Sequence, residues 1–476
     1  MDGYEKHIYN RSVYFSILNN DTRKSKLIES SIHHDPPFIP IILILVELIY
    51  ISFQVEFSFL FKVIGKSKLR ERISFVQRTG DLKLIQELNR SIILDTIRKK
   101  GPISRSQVAK EIKISPTTVT SAVNDLIRKG MVIEDGVGHS SGGRKPVLLR
   151  FNPSKHSIIA VSITNSYIKM ADMDLEGKIL RKNVHPVNQL QGNEIILLLI
   201  DLLEQFVAGN DRLEFCEGIS IITPGIVDSN NGMIGYNTKL KLYDVPLTEL
   251  IEEKFNLPTF LDNDVNAFAV GEYYFGSFNS YKDIMYLTIG DGVGSGLMIN
   301  GTIYRGFKGS SGEIGHTTVV PGGSKCECGN NGCLENYVNW PAIYSNIVSS
   351  ILTKGRDTFI KNLIENDIRK LTPEIFIDAI KRNDKLSIEI LDEIISYLAI
   401  AISNTIHLLN PEIIIISGEV VQDNLLFIKK IREKLSEMVI PILKEDINIQ
   451  STSLGSDFDL LGAAAVILQG KFRFQL

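Results

Sequence analysis

Three of the chain's four cysteines, Cys326, Cys328 and Cys333, fall within eight residues, and His316 lies nine intervening residues upstream. Thiolates and an imidazole at this spacing form the donor set of a tetrahedral zinc site, and four protein ligands leave no open position for a catalytic water. Gly329 and Gly332 allow the tight knuckle that the spacing needs. The plain alternative is a group of reduced thiols in a turn. The expectation is a structural Zn2+ held by His316, Cys326, Cys328 and Cys333, which builds a neighbouring site without doing its chemistry. With three cysteines so committed no disulfide framework remains, which fits a reducing, cytoplasmic setting.

The residues around this knuckle carry a second signal. Gly312-Glu313-Ile314-Gly315-His316, followed by Cys326-Glu327-Cys328-Gly329-Asn330-Asn331-Gly332-Cys333-Leu334-Glu335, resembles the signature of the ROK family of repressors, open reading frames and sugar kinases. Gly290-Asp291-Gly292-Val293-Gly294-Ser295-Gly296-Leu297, with Asn300-Gly301 and Tyr304-Arg305-Gly306 after it, resembles that family's glycine loop. Leu261-Asp262-Asn263-Asp264-Val265-Asn266-Ala267 resembles its catalytic-aspartate segment. The likeness spans about residues 155 to 470. It implies two α/β lobes of the actin-like, hexokinase-like ATPase fold, with sugar and nucleotide in the cleft between them.

By the same resemblance Asp264 matches the family's kinase base, and Asn263, Glu313, His316 and Glu335 match positions that hydrogen-bond sugar hydroxyls. Asn237, in Gly235-Tyr236-Asn237-Thr238, is a further match to a sugar-contacting residue. Carboxylates and amides suit a polyol because each hydroxyl both donates and accepts. Taken alone, Asp264 also reads as a helix-capping residue. His316 could hold the metal through one ring nitrogen and turn the other towards sugar.

A kinase also needs backbone N–H groups in tight turns around the phosphates. Family kinases open the large domain with an Asp-x-Gly-Gly-Thr turn, whereas the matching stretch here is Ser162-Ile163-Thr164-Asn165-Ser166-Tyr167. Thr164 is a poor occupant for a turn of positive φ. Asp291 adds negative charge where phosphate would approach, and the C-terminal glycine motif reads Ile416-Ser417-Gly418-Glu419. The sugar side is intact and the nucleotide side is altered in three places. The expectation is a sugar-binding body without kinase activity; an ATP-dependent hexose or N-acetylhexosamine kinase carrying a DNA-binding domain is the alternative.

The elements that precede this body read as a nucleic-acid module. Residues 81–150 carry 13 Lys/Arg against 7 Asp/Glu, a net of +6, while residues 151–476 carry 28 against 40, a net of −12. A basic module on an acidic body points to a polyanion partner for the first part. Leu82, Ile85, Leu88, Ile92, Ile93 and Ile97 recur at helical spacing up to Gly101-Pro102. Ser104 then caps a short helix through Val108 to Ile112, and Ser115-Pro116 starts another that runs from Thr117 to Lys129. Its apolar face is Val119, Val123, Leu126 and Ile127. The first turn and polar face offer Ser115, Thr117, Thr118, Thr120, Ser121 and Asn124, short polar groups suited to a groove.

Met131–Glu134 and Val147–Phe151 read as wing strands, joined through Ser140-Ser141-Gly142-Gly143-Arg144-Lys145-Pro146, whose Arg144 and Lys145 would meet phosphates or a minor groove. The pattern is a winged helix-turn-helix, similar to the N-terminal domain of ROK repressors; a three-helix interaction module is its plain rival.

Residues 1–80 fit neither part. An apolar run at 40–61, interrupted by Glu47, Gln54 and Glu56 and followed by Lys62, Lys66, Lys68, Arg70 and Arg72, has three readings. It is a spurious or disordered extension, a buried or partner-facing segment, or a membrane anchor, for which a mid-span Glu is costly. The expected organisation is an atypical apolar extension (1–80), a winged helix-turn-helix (81–152) and a ROK sugar-binding body with a zinc-braced loop (153–476). The expected partners are operator DNA, a monosaccharide or sugar phosphate, and a second copy, as a homodimer or dimer of dimers.

Overall fold

The computed structural model describes residues 82–138, 145–209, 212–422 and 424–472. The apolar run at 40–61 and Arg144 of the wing lie outside the described residues. Helix α1 (Leu82–Lys100) ends in three consecutive basic residues, which suit a helix C-terminus. Ser104, in the two-residue strand β1 (Ile103–Ser104), caps α2 (Arg105–Ile112). The cap is reciprocal: Gln107 N donates to Ser104 Oγ, and Ser104 N donates to Gln107 Oε1 at 2.9 Å. Lys113, left-handed at φ 55°, turns the chain into α3 (Pro116–Arg128), whose cap Ser115 accepts from Thr118 N at 3.1 Å. Val119, Val123 and Leu126 are buried and Ile127 is half-buried.

Strands β2 (Val132–Val137) and β3 (Val147–Phe151) form the wing, and β1 adds a third strand to give the order β1-β3-β2. The sequence reading did not anticipate β1, since two residues are too few for a period to show.

The body holds two five-stranded sheets. The first has the order β11-β7-β4-β5-β6: β4 (Ser157–Ile163), β5 (Tyr167–Asp174) and β6 (Ile179–Pro186) run antiparallel. Parallel β7 (Cys216–Thr223) and β11 (Thr259–Asn263) extend it from β4. Every residue of β4 is buried, which explains a continuous rather than alternating apolar run. Helix α4 (Asn193–Ala208) and helix α5 (Leu247–Phe255) share a core with this sheet. A small antiparallel sheet made of β8 (Ile226–Asp228), β9 (Met233–Asn237) and β10 (Leu242–Val245) is inserted between β7 and α5.

The chain passes from β11 directly into α6 (Asp264–Phe275), with Asn263 as the cap. The second sheet has the order β14-β13-β12-β15-β16, from β12 (Ile284–Ile289), β13 (Val293–Ile299), β14 (Thr302–Ile303), β15 (Ile413–Ser417) and β16 (Ile449–Ser451). Its core is shared with α7 (Trp340–Leu352), α8 (Pro373–Lys381), α9 (Lys385–Leu409) and α10 (Leu425–Met438). The last helix, α11 (Phe458–Phe472), returns to the first sheet and packs along α6.

Helices α6 and α11 are apolar nearly all round because both are buried at the centre of the body. They approach closely where Gly271 faces Gly462: a Cβ on Gly271 would lie 3.1 Å from the Gly462 Cα, and one on Gly462 would lie 3.0 Å from the Ala267 carbonyl. A single apolar cluster runs from Ile93, Ile97 and Val123 of the winged module into α6 and α11. Among the described residues no helix is long and apolar enough to cross a membrane.

Candidate functional site

The metal-ligand candidates converge. One donor atom from each of His316, Cys326, Cys328 and Cys333 lies within 4.8 Å of the others, a group that could hold a metal ion. Cys326 Sγ is 3.7 Å from His316 Nδ1, and Cys328 Sγ is 3.7 Å from Cys333 Sγ. That gap is far longer than the ~2.05 Å of a disulfide. The edge of a tetrahedron with ~2.3 Å metal–sulfur bonds is about 3.8 Å, so the spacing fits such a centre.

The knuckle is backbone-built. Cys326 N donates to Asn330 O at 2.8 Å, Gly329 N donates to Cys326 O, and Gly329 and Gly332 hold positive φ. At Gly332 any side chain would collide with the Val320 carbonyl, so glycine is obligatory there. Burial, reinforced by the two neighbouring sulfurs, pushes the Cys333 thiol up to about 12. Cys328, where the Asn330 amide is the largest influence, is lowered instead.

His316 joins this centre to a second group. Its Nδ1 faces the sulfurs, and its Nε2 is 4.0 Å from Glu313 Oε2. Burial raises the Glu313 carboxyl, and Glu335 raises it further against the pull of His316. Asp264, the first residue of α6, is raised to about 6 by burial; the Val265 amide opposes this and Glu313 adds to it. Asp264, Glu313, His316 and Glu335 therefore feel one another, although they come from three separate segments. A carboxylate held near pH 6, two more carboxylates and an imidazole N–H form a polar cluster that can donate to and accept from a polyol.

Two expected sugar contacts are already engaged. Asn263 accepts from Val265 N and Asn266 N, capping α6, and donates to Gly225 O at 3.0 Å. Asn237 is buried, donates to Pro224 O at 2.8 Å and accepts from Leu240 N at 2.9 Å. Glu335 uses Oε2 to accept from Val293 N at 2.9 Å, which leaves its other oxygen for a further partner. The structure brings the carboxylates and the imidazole together and gives the two amides structural partners.

Arg305, beyond β14, has a structural role that its motif does not reveal. It pairs with the buried Asp262 of β11 and so ties the edge strand of one sheet to that of the other. Burial pushes the Asp262 carboxyl up, and Arg305 opposes it. The signal was present in the sequence as an Asp directly before Asn263-Asp264, but its partner lies 43 residues away and only the fold reveals it.

On the nucleotide side the turn between β4 and β5 is closed by a side chain. Thr164 Oγ1 donates to Tyr167 O at 3.1 Å and accepts from Ser166 N at 3.3 Å and Tyr167 N at 3.1 Å. The Ser166 and Tyr167 N–H groups are thus bonded within the turn. Thr164 sits there without positive φ, so the strain expected of a β-branched residue in such a turn does not arise. Lys169 is paired with buried Asp459 at 3.0 Å. Burial raises the Glu419 carboxyl, and Asp291 and Glu374 raise it further, so three carboxylates crowd this end.

In the winged module Thr117, Ser121 and Asn124 of α3 are exposed, as is Lys145 at the wing. Thr118 is half-buried and its hydroxyl lies 2.8 Å from Ser115 Oγ, while Thr120 Oγ1 donates to Pro116 O. Arg105 of α2 reaches Asn124 at 3.4 Å and Glu134 at 3.0 Å, which fixes the recognition helix to the wing.

Comparison with known proteins places this geometry among relatives. The pattern of the ROK family matches residues 158–470, and that of a winged helix-turn-helix DNA-binding domain matches residues 89–133. A xylose repressor of Caldicellulosiruptor bescii is 31% identical over 398 residues, covering 83% of this chain and 99% of the relative. A crystal structure of a ROK family transcriptional regulator, a homologue of the E. coli MLC protein, superposes with a TM-score of 0.72 at 26% identity, over 80% of this chain and 96% of that one. A ROK family glucokinase from Streptomyces griseus, in complex with glucose and AMPPNP, superposes with a TM-score of 0.58 at 25% identity, over 66% of this chain and all of that one.

Proposed function

The chain belongs to the ROK family, and from that membership we propose that it is a sugar-responsive, DNA-binding transcriptional repressor of carbohydrate genes. The observation that carries this reading is a division within the body. Asp264, Glu313, His316 and Glu335 form one polar cluster, while Thr164 takes up the Ser166 and Tyr167 amides of the turn where family kinases carry Asp-x-Gly-Gly-Thr. The proposed body binds a sugar without transferring phosphate to it. The winged module in front of it, with exposed Thr117, Ser121, Asn124 and Lys145, supplies the output.

In this reading Asp264 and Glu313 accept from hydroxyls of a monosaccharide or sugar phosphate, Glu335 offers its remaining oxygen, and Asn263 and Asn237 border the site through their remaining lone pairs and N–H. His316, Cys326, Cys328 and Cys333 would hold structural Zn2+, whose charge lets the packed thiols ionise. With Nδ1 turned to the sulfurs, the proton of His316 resides on Nε2, beside Glu313. Ser115 sets the start of the recognition helix, and Thr118 and Thr120 flank its base-reading face. Arg144 and Lys145 contact phosphates. Two copies, as a homodimer or a dimer of dimers, match the two halves of a palindromic operator.

The test is binding of the full chain to the DNA upstream of its own gene, by fluorescence anisotropy, with and without D-xylose, D-glucose and their phosphates. Specific binding changed at least ~10-fold by one sugar is the expected result. Sugar-dependent ADP formation at enzymatic rates would instead establish the kinase alternative.

A further inference from the structure

The two central helices each reach from the cleft to the DNA-binding module. Helix α6 starts at Asp264 and carries Tyr273 and Tyr274, both buried, in its last turn. Above these rings stand the last basic residues of α1: the Lys99 ammonium is 6.0 Å from the Tyr273 centroid, and the Arg98 guanidinium is 5.8 Å from that of Tyr274. Asp95, one turn earlier, holds both cations, at 3.0 Å to Arg98 and 2.8 Å to Lys99.

Helix α11 starts beside the β4–β5 turn, where Asp459 pairs with Lys169, and carries Lys471 in its last turn. Lys471 pairs with Glu217 of β7, and Glu217 Oε1 is 2.7 Å from His156 Nδ1. His156 Nε2 in turn donates to Lys129 O at 2.8 Å, the C-cap carbonyl of the recognition helix. The carbonyls at that end of α3 carry partial negative charge, which suits the donor.

The pair is built to move as one piece. Gly271 and Gly462 bring the backbones into contact, and the Phe268 and Phe458 rings meet edge to face at 4.8 Å, so one helix cannot slide without the other. At 1.5 Å per residue they span about 18 and 22 Å, the reach needed to join two distant sites with hydrogen-bonded rods.

We propose that α6 and α11 together are the coupling element of this protein: occupation of the cleft at Asp264 displaces the pair, and the α1 cations over Tyr273 and Tyr274, with the Lys471–Glu217–His156–Lys129 chain, pass that displacement to the recognition helix. This rests on the proposed sugar-responsive function and adds its route. Arg98, Lys99, Tyr274, Glu217 and His156 are positioning residues and touch neither sugar nor the base-reading face.

The test uses the full chain, operator DNA from upstream of its gene, and D-xylose and D-glucose as probes. Tyr274→Leu and, as a milder second variant, Arg98→Gln are compared with wild type for sugar affinity, DNA affinity without sugar, and the change in DNA affinity that sugar produces. The expected result is both end affinities within ~3-fold of wild type, while a wild-type shift of ~10-fold or more falls below ~3-fold. A merely structural role would lower the end affinities and leave the shift unchanged. Full retention of the shift in a folded Arg98→Gln protein overturns the proposal and leaves the function standing. A wild-type chain whose DNA affinity neither sugar changes removes the function, and the route with it.

Discussion

Asp264 shows how a single residue is set by its surroundings. Burial at the start of α6 outweighs its bond to the Val265 amide, and its carboxyl rests at about 6. If sugar is held by the ionised form, affinity falls about 10-fold between pH 7 and pH 5, and Asp264→Asn removes that dependence; calorimetry at the two pH values measures it. The stability consequence has the opposite direction. A carboxyl whose folded value lies above its unfolded value, 3.8, stabilises the fold fully only below 3.8, and that contribution is lost as pH rises through about 6. Asp264→Asn is therefore expected to raise Tm at pH 7.5 and to leave it unchanged at pH 3.5. This residue was legible in the sequence through its motif, but its titration is raised by burial first and by Glu313 second, and no spacing along the chain encodes either.

Among the elements, the recognition helix and the cysteine knuckle depend on local chemistry that the sequence spells out. Ser115 and Pro116 stood out as a start signal because a side-chain acceptor and a residue without an N–H suit a helix N-terminus, and both sit there. Ser115→Ala is expected to cost about 1 kcal/mol of stability and to weaken operator binding, read by denaturant unfolding and anisotropy. In the knuckle, Cys326→Ser leaves three donors around a site shaped for four. Its bound metal, counted by mass spectrometry of the native protein, is expected to fall from about one ion per chain to nearly none. Weaker sugar affinity should accompany the loss, because His316 Nδ1 and Glu313 would lose their common anchor. Unchanged sugar affinity after verified metal loss would break the link between the two sites.

At the scale of the molecule, the basic module and the acidic body do not behave as beads on a string. One apolar cluster passes from the winged helices into α6 and α11, and these helices carry cleft residues at one end and module contacts at the other. The cysteine knuckle acts locally: Cys326 Sγ faces His316 Nδ1, and His316 Nε2 stands 4.0 Å from Glu313. The coupling measurement with Tyr274→Leu and Arg98→Gln belongs to this scale, since neither variant touches either ligand site and only the joint response should change.

The sequence by itself determined the elements whose cause is local: the capped helices, the glycine-dependent knuckle, and the motifs that identify the body. Each needs only neighbours along the chain, so periodicity, caps and spacing suffice. The tertiary structure alone decided what depends on distant segments meeting. It gave Asn237 and Asn263 structural partners, joined Arg305 to Asp262, and closed the β4–β5 turn through a conformation that Thr164 accepts without positive φ. It also aligned α6 with α11 through Gly271 and Gly462, nearly two hundred positions apart in sequence, because close approach of two backbones is a property of packing and leaves no period in either strand of sequence.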